Sequence, residues 1–227
     1  MSKHTFYRVF PFALFMIFIG LEEFLRFLLA KEILTFDGEF LYLIYPVKAI
    51  LVASVLLLFV RHYSEISLKD FARPAHTALS ILSGLIVFVL WINMDWHFGT
   101  QGDPAGFDPN VFSGASKTAM TAVRLAGAIL VVPVMEELFW RSFLLRYIIK
   151  SDFLRVPLGA FTWPSFLITA LLFGLEHHLI LAGIMAGVAF NLLLYYTRSL
   201  SQCILAHAVA NLALGIYVLQ TGLWRFW

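Results

Sequence analysis

The sequence predicts an all-α fold: a polytopic membrane helical bundle with seven to eight transmembrane helices. Of the 227 residues, 61% are hydrophobic and only 13% are charged, and the mean hydropathy is +0.85, far above that of soluble globular domains. Apolar runs close to the length of about 20 residues that crosses a bilayer as a helix recur along the chain. No Ser/Gly linker or long polar block separates them, so residues 1–227 are expected to form a single integral membrane domain.

Seven segments are predicted to be the spans, with an eighth only if one of them is broken. In chain order they are residues 9–29, 40–60, 77–94, 119–135 with its continuation, 163–176, 179–196 and 200–219. The first has the charge order of a signal peptide, but it runs into Glu22 and Glu23 instead of a small-residue cleavage site. It is therefore interpreted as a retained span.

Basic residues near the span ends predict the orientation, because lysine and arginine favour the cytoplasmic side. Lys3 and Arg8 place the N-terminus in the cytoplasm, and the second, fourth and sixth connections are also basic. The formal net charge of +2 comes without a long basic run, so no nucleic-acid partner is expected. The single cysteine, Cys203, excludes an internal disulfide and a cysteine-based zinc site.

The fourth segment is longer than one span. Residues 119–149 would form about 46 Å of unbroken helix, and Pro133 cannot donate a hydrogen bond to the carbonyl of Ile129. A tilt or kink is therefore predicted there. The end of the segment carries Arg146 and Lys150 on one face and is predicted to lie as an amphipathic piece at the cytoplasmic surface.

Two adjacent carboxylates and a guanidinium lie inside this apolar segment. Glu137 and Arg141 are four residues apart and share a helix face, so they are predicted to form an ion pair, which an arginine can make with two hydrogen bonds. Glu136 is turned about 100° away and can face a cavity. Ionisable groups within a membrane span usually have a function, although a charge cluster that only holds helices together is the alternative.

A shorter cluster, Glu22-Glu23-x-x-Arg26, looks like a second copy but is interpreted as an interfacial ion pair at the end of the first span. Lys48 and Arg124 are single charges that are expected to extend to a nearby membrane interface.

Two more pairs at helical spacing, each with a histidine, follow in later spans: Phe173 with His177 and His207 with Asn211. A histidine titrates near neutral pH and can orient water, donate a hydrogen bond to an oxyanion or bind a metal. The plainer interpretation is a buried histidine that bonds to a neighbouring helix. The role of Glu176, next to His177, stays open.

The three motifs together resemble the family of CAAX prenyl proteases and bacteriocin-processing proteins (the CPBP or Abi family) of intramembrane proteases. They occur in the family's order in successive apolar segments, Glu136-Glu137-x-x-x-Arg141, Phe173-x-x-x-His177 and His207-x-x-x-Asn211. The resemblance covers a protease-like core at about residues 119–219. One subgroup of small size and this layout is linked to bacterial exosortase sorting systems, and the expected location is the bacterial inner (cytoplasmic) membrane.

The resemblance implies hydrolysis of a peptide bond by an activated water. It makes Glu136 the general base, His177 the residue that positions the water, and His207 and Asn211 the oxyanion donors. Glu137, Arg141 and Phe173 would be supporting residues. The expected partners are membrane lipid and a membrane-associated or lipidated peptide or protein substrate, with the oligomeric state open.

Two other functions are compatible with buried ionisable groups: a proteolytically idle membrane scaffold or immunity-type binding protein of the same fold, and a proton-coupled carrier. The sequence has no evident inverted repeat, which argues against the carrier. The presence of Glu136, His177, His207 and Asn211 together argues against the idle protein, since binding alone does not require that set.

A zinc ion at His177, His207 and Glu136 is the alternative chemistry, since two histidines and a carboxylate can form a catalytic zinc site. No cofactor is predicted, for two reasons. Asn211 shares a face with His207 and is a poor zinc ligand, and no acidic partner is evident that would fix the tautomer of His207. Glu176 could be such a partner for His177.

Overall fold

The chain forms seven main helices in a computed structural model that describes residues 2–35, 38–96, 100 and 106–227. They are α1 (Lys3–Ala30), α2 (Ile44–Phe59), α3 (Pro74–Asn93), α4 (Gly114–Ile149), α5 (Trp163–Leu175), α6 (Ile180–Thr197) and α7 (Leu200–Thr221). The described residues contain no β-strand, only an isolated antiparallel bridge between Thr100 and Leu179. The predicted all-α fold is confirmed.

Five helices in the described part of the chain are long and apolar enough to cross a membrane. They are α2 with its flanking turns (Gly38–His62), α3, α4, α6 and α7. Helix α5 is apolar but has only 13 residues, about 20 Å, which is shorter than a full span. Helix α1 has 28 residues but is not among the five. The polytopic membrane bundle is thus confirmed, with five rather than seven helices that meet this criterion.

Helix α4 runs for 36 residues without a break. It accommodates Pro133 by winding more widely: residues Gly127–Val131 and Leu138–Leu144 are π-helical, and the α-helical turns Val132–Glu137 lie between them. In the first π-segment the Val132 amide donates to the Gly127 carbonyl, five residues back. Such π-bulges inside α-helices are frequent at functional sites, and here two of them flank the paired glutamates.

Close helix contacts through glycine fix the frame around α4. Helices α5 and α6 pack together so closely that a Cβ on Gly183 would lie 2.8 Å from the Cα of Gly174. Helix α3 crosses α7 in the same way, because a Cβ on Gly84 would collide with the Ala206 carbonyl oxygen. These approaches hold the end of α5, just before His177, and the part of α7 that carries His207.

A buried ionic cluster ties the start of α1 to the end of α4. The Arg8 guanidinium donates two hydrogen bonds to the Glu65 carboxylate, at 2.7 and 2.6 Å, and Arg146 lies 3.5 Å from the same carboxylate. Ser142 also donates to Glu65 and accepts a hydrogen bond from Arg146 at 2.8 Å. Because Arg146 is only 4% exposed, the predicted amphipathic piece at the cytoplasmic surface is wrong. Its guanidinium pairs with Glu65, a loop residue that lies more than 70 positions earlier in the chain.

The cluster makes stability depend on pH through Glu65. Burial alone would raise the pKa of the Glu65 carboxyl, but the hydrogen bonds and charge of Arg8, with the Ser142 hydroxyl, hold this pKa below its ordinary value. A lowered pKa in the folded state stabilises the protein above the unfolded-state value of about 4.3, and this contribution is lost as the pH falls through the lower folded value.

Glu65→Gln should therefore lower the free energy of unfolding at pH 7 by about 3–5 kcal/mol, the typical cost of removing one partner of a buried ion pair. Thermal unfolding in detergent measures this, and the gap between variant and wild type should narrow below about pH 4. Asp152→Asn is the control, because its ion pair with Arg155 is exposed and such pairs contribute little. Equal effects of the two substitutions would contradict the role of the cluster.

Candidate active site

One cavity of about 230 Å³ is lined by all four residues predicted to be catalytic, Glu136, His177, His207 and Asn211. They come from α4, from the residues just after α5, and from α7. The predicted supporting residue Phe173 lines the same cavity. The remaining lining is mostly aromatic and aliphatic, so these polar groups lie in an apolar enclosure that strengthens their electrostatic interactions.

The two glutamates divide as their helix positions predict. Glu137 is fully buried and pairs with Arg141, whose Nη1 lies 3.0 Å from Glu137 Oε1. Glu136 lines the cavity, and its buried Oε2 atom has no hydrogen-bond partner in the described structure. A buried acceptor of this kind, open to a cavity, is available to a water or a substrate.

Arg141 is held by aromatic rings as much as by its carboxylate. Its guanidinium carbon lies 4.4 Å from the centre of the Phe173 ring and 5.3 Å from that of Phe190. Only Nη1 bonds to Glu137, and the buried Nε donates to no described residue. The expected double hydrogen bond is therefore absent from this pair, and the second carboxylate oxygen of Glu137, Oε2, has no hydrogen-bond partner among the described residues.

Glu137 also contacts a side chain of another helix, His207. Its Nδ1 lies 2.9 Å from Glu137 Oε1, the same oxygen that accepts from Arg141, while its Nε2 points toward Glu136 and lies 3.9 Å from Glu136 Oε2. The expectation that His207 lacks an acidic partner is wrong. The two residues are 70 positions apart, and no sequence spacing signals a contact between separate helices.

His177 is oriented by the backbone of its own helix. Its Nδ1 lies 2.6 Å from the Phe173 carbonyl oxygen, which can only accept, so Nδ1 carries the hydrogen. In the neutral ring, Nε2 is then an acceptor. Glu176 accepts a hydrogen bond from Trp140 Nε1 at 2.9 Å, and the partner of His177 Nδ1 is the Phe173 carbonyl.

Asn211 is positioned by the irregular part of α4. Its Nδ2 donates to the Ala128 carbonyl at 2.8 Å. Ala128 lies in the first π-segment, where the donor five residues ahead would be Pro133, which has no N–H. The wider winding thus moves the unsatisfied carbonyl from Ile129, the predicted position, to Ala128, and Asn211 satisfies it. One amide hydrogen of Asn211 remains for the cavity.

The alternative zinc ligands, Glu136, His177 and His207, are spread around the cavity. In the described residues, no group of three or more His, Cys, Asp or Glu side chains lies close enough together to hold a metal ion. Glu136, His177 and His207 share a cavity, but they do not meet at one point as zinc ligands must.

Comparison with known proteins gives one finding. Residues 118–213 match the model of a family described as type II CAAX prenyl endopeptidase Rce1-like, and the matched segment contains all three motifs. No curated protein and no solved structure matches the chain. The core bounds of 119–219, the single-domain organisation and the exosortase-linked subgroup stay predictions.

Arg141→Lys should destabilise the protein, because lysine keeps the charge but loses the planar group that packs on Phe173 while bonding to Glu137. We expect a loss of about 1–3 kcal/mol in the free energy of unfolding, measured by thermal unfolding in detergent. Arg26→Lys is the matched control, since Arg26 pairs with Glu22 at the same four-residue spacing but is 31% exposed. An unchanged unfolding temperature for Arg141→Lys would show that the pair is not structural.

Proposed function

Since residues 118–213 match the model of the Rce1-like type II CAAX prenyl endopeptidases, we propose that this membrane protein is an intramembrane endopeptidase. It hydrolyses a peptide bond of a membrane-associated or lipidated substrate with a water activated by Glu136. The observation that carries the proposal is the unpaired Glu136 carboxylate oxygen in a cavity that also contains both motif histidines and Asn211. Membership in a protease family does not favour the proton-coupled carrier, and the experiment below separates a protease from an idle scaffold.

Water activation follows from two acceptors at the cavity wall. Glu136 Oε2 is free to accept a hydrogen bond, and His177 Nε2 carries a lone pair because Nδ1 donates to Phe173. A water that donates one hydrogen to each group directs its own lone pair toward a substrate carbonyl. Glu136 then takes the proton of the attacking water and later delivers it to the departing amine, which returns Glu136 to the carboxylate form.

The oxyanion formed by this attack needs donors. Asn211 supplies an amide hydrogen. His207 can supply Nε2–H only as imidazolium, because Nδ1 already carries the hydrogen that bonds to Glu137. The Glu137 carboxylate, held in place by Arg141, stabilises that charge, as the carboxylate of a serine-protease triad stabilises its imidazolium. Preorganised donors of this kind contribute strongly where negative charge develops.

The family and the apolar helices make the protein integral to a membrane. Membrane lipid is therefore its medium, and a membrane-associated substrate is the partner that we propose. The cytoplasmic N-terminus and the bacterial inner membrane stay predictions.

Glu136→Gln should reduce hydrolysis by about 10²-fold or more, the loss expected for a general base, while folding and membrane insertion are unchanged. The purified protein is assayed in detergent against a library of fluorogenic peptides. Asp152→Asn is the control, because this carboxylate is exposed and lines neither cavity.

Near-full activity of Glu136→Gln, combined with an inactive Glu137→Gln, would exchange the two assignments. Cleavage of no library peptide by the wild type would favour the idle scaffold.

Activity should survive prolonged chelation followed by desalting, and the enzyme should contain well under one zinc per chain by elemental analysis. The contact between His207 and Glu137 removes one argument against zinc, since a carboxylate partner is what zinc-bound histidines usually have. The spread of the donors and the amide at Asn211 favour the metal-free reaction. Stoichiometric zinc that is lost and regained together with activity would recast His177 and His207 as ligands.

A further inference from the structure

A second, more polar cavity lies beside the catalytic one. It has a volume of about 330 Å³ and lies between the end of α1, the start of α2, the first part of α4 and the C-terminal segment. Arg124 and Trp227 line both cavities. They therefore mark a junction through which one bound molecule could reach from the polar cavity to Glu136.

The polar cavity is lined by three cations, Arg26, Lys48 and Arg124, and by two carboxylates, Glu22 and Glu23. Glu22 accepts from Arg26 at 2.8 Å, which confirms the predicted ion pair, and its other oxygen lies 3.6 Å from Lys48 Nζ. Lys48 is buried against the rings of Phe15 and Tyr45, so its predicted extension to a membrane interface is wrong. Glu22 is thus already shared between two cations.

Arg124 has no such partner. Its guanidinium carbon lies 4.4 Å from the centre of the Tyr45 ring and 5.7 Å from that of Trp227, but no ion pair to a described carboxylate exists, and the buried Nε donates to no acceptor. The indole Nε1–H of Trp227 is likewise buried and unpaired. Buried donors are nearly always satisfied, so two of them at one junction point to an acceptor that binds there.

We propose that Arg124 and Trp227 form an anion-binding subsite for the substrate of the proposed protease, with Lys48 adding positive potential. The group that binds is a carboxylate or a phosphate, both of which match the planar donor array of a guanidinium. This inference rests on the proposed function and deepens it, because it defines a charged feature of the substrate.

The position of the subsite sets the distance from this anion to the bond that is cut. Arg124 and Glu136 lie on α4 with at most about 18 Å between them along the helix axis, since the intervening residues Gly127–Val131 are π-helical and rise less per residue. An extended peptide covers that distance in about five to six residues. The anion belongs either to the peptide itself or to the phosphate of a lipid beside it.

The experiment uses cleaved library peptides with one glutamate, or the uncharged glutamine, placed at successive positions on either side of the scissile bond. With wild type, glutamate near five residues from that bond should give a KM about tenfold lower than glutamine, the effect of one charge-assisted hydrogen bond, with kcat little changed. Arg124→Gln should abolish the preference. Arg155→Gln, which changes an exposed, paired cation that lines neither cavity, should keep it.

Two milder variants cover the case in which Arg124→Gln does not fold. Arg124→Lys keeps the charge without Nε, and Trp227→Phe keeps a ring without the N–H, so each should reduce the preference. If no peptide position shows a charge preference, activity in phosphatidylglycerol and phosphatidylcholine vesicles is compared. An Arg124-dependent gain with the anionic lipid supports the subsite and identifies lipid phosphate as the anion. No charge preference of either kind, or one that persists in Arg124→Gln, overturns the proposal.

Binding separates this proposal from the proposed function. The glutamate and glutamine peptides are also titrated against Glu136→Gln, with thermal stabilisation as the readout. An acid preference in binding without hydrolysis by wild type would sink the protease assignment and leave the subsite standing. Hydrolysis with no charge preference of either kind, for peptide or for lipid, would do the reverse.

Discussion

The arrangement of the site depends on one carboxylate oxygen, Oε1 of Glu137, which contacts Arg141 within α4 and His207 on α7. A buried charge is costly unless it is paired and hydrogen-bonded. Here Arg141 and His207 each satisfy part of that requirement. A shift of α7 relative to α4 would break the contact between Glu137 and His207 and leave the buried carboxylate with fewer partners. The contact therefore joins two helices and fixes the orientation of the imidazole at the same time. Glu136, one position earlier, is left free because its neighbour takes the structural role.

Backbone irregularity supports the same junction between α4 and α7. Pro133 removes one donor from α4, and the π-helical winding before it places the unsatisfied carbonyl at Ala128, where Asn211 donates to it. His207 and Asn211, one turn apart on α7, are thus each held by a different feature of α4: a charge in one case and a missing hydrogen bond in the other. Pro133 would weaken an ordinary helix, but here it leaves a backbone carbonyl free to accept a hydrogen bond from a polar side chain.

Most buried cations away from the catalytic glutamates are also paired with a carboxylate, whereas Arg124 is not paired with any described one. Arg146 and Arg8 share the Glu65 carboxylate within the buried cluster, and Lys48 shares Glu22 with Arg26. These groups have partners and need no ligand. Arg124 has aromatic neighbours but no described counterion. Comparison of the buried cations with one another, rather than the presence of any single one, distinguishes structural ion pairs from a candidate binding group.

The sequence by itself determined the class of protein, the helix segments, the pairing of Glu137 with Arg141 and the freedom of Glu136. These are consequences of composition and of the 3.6-residue helical period, which act over a few neighbouring positions. The motif spacing also identified Glu136, His177, His207 and Asn211, which line the catalytic cavity, but not Arg124, which lines it as well. Only the tertiary structure decided that Glu137 serves His207, that Asn211 bonds to Ala128, that Arg146 is buried and that Arg124 is unpaired. Each of these depends on which helices lie side by side, and contacts between distant segments leave no periodic pattern in a single sequence.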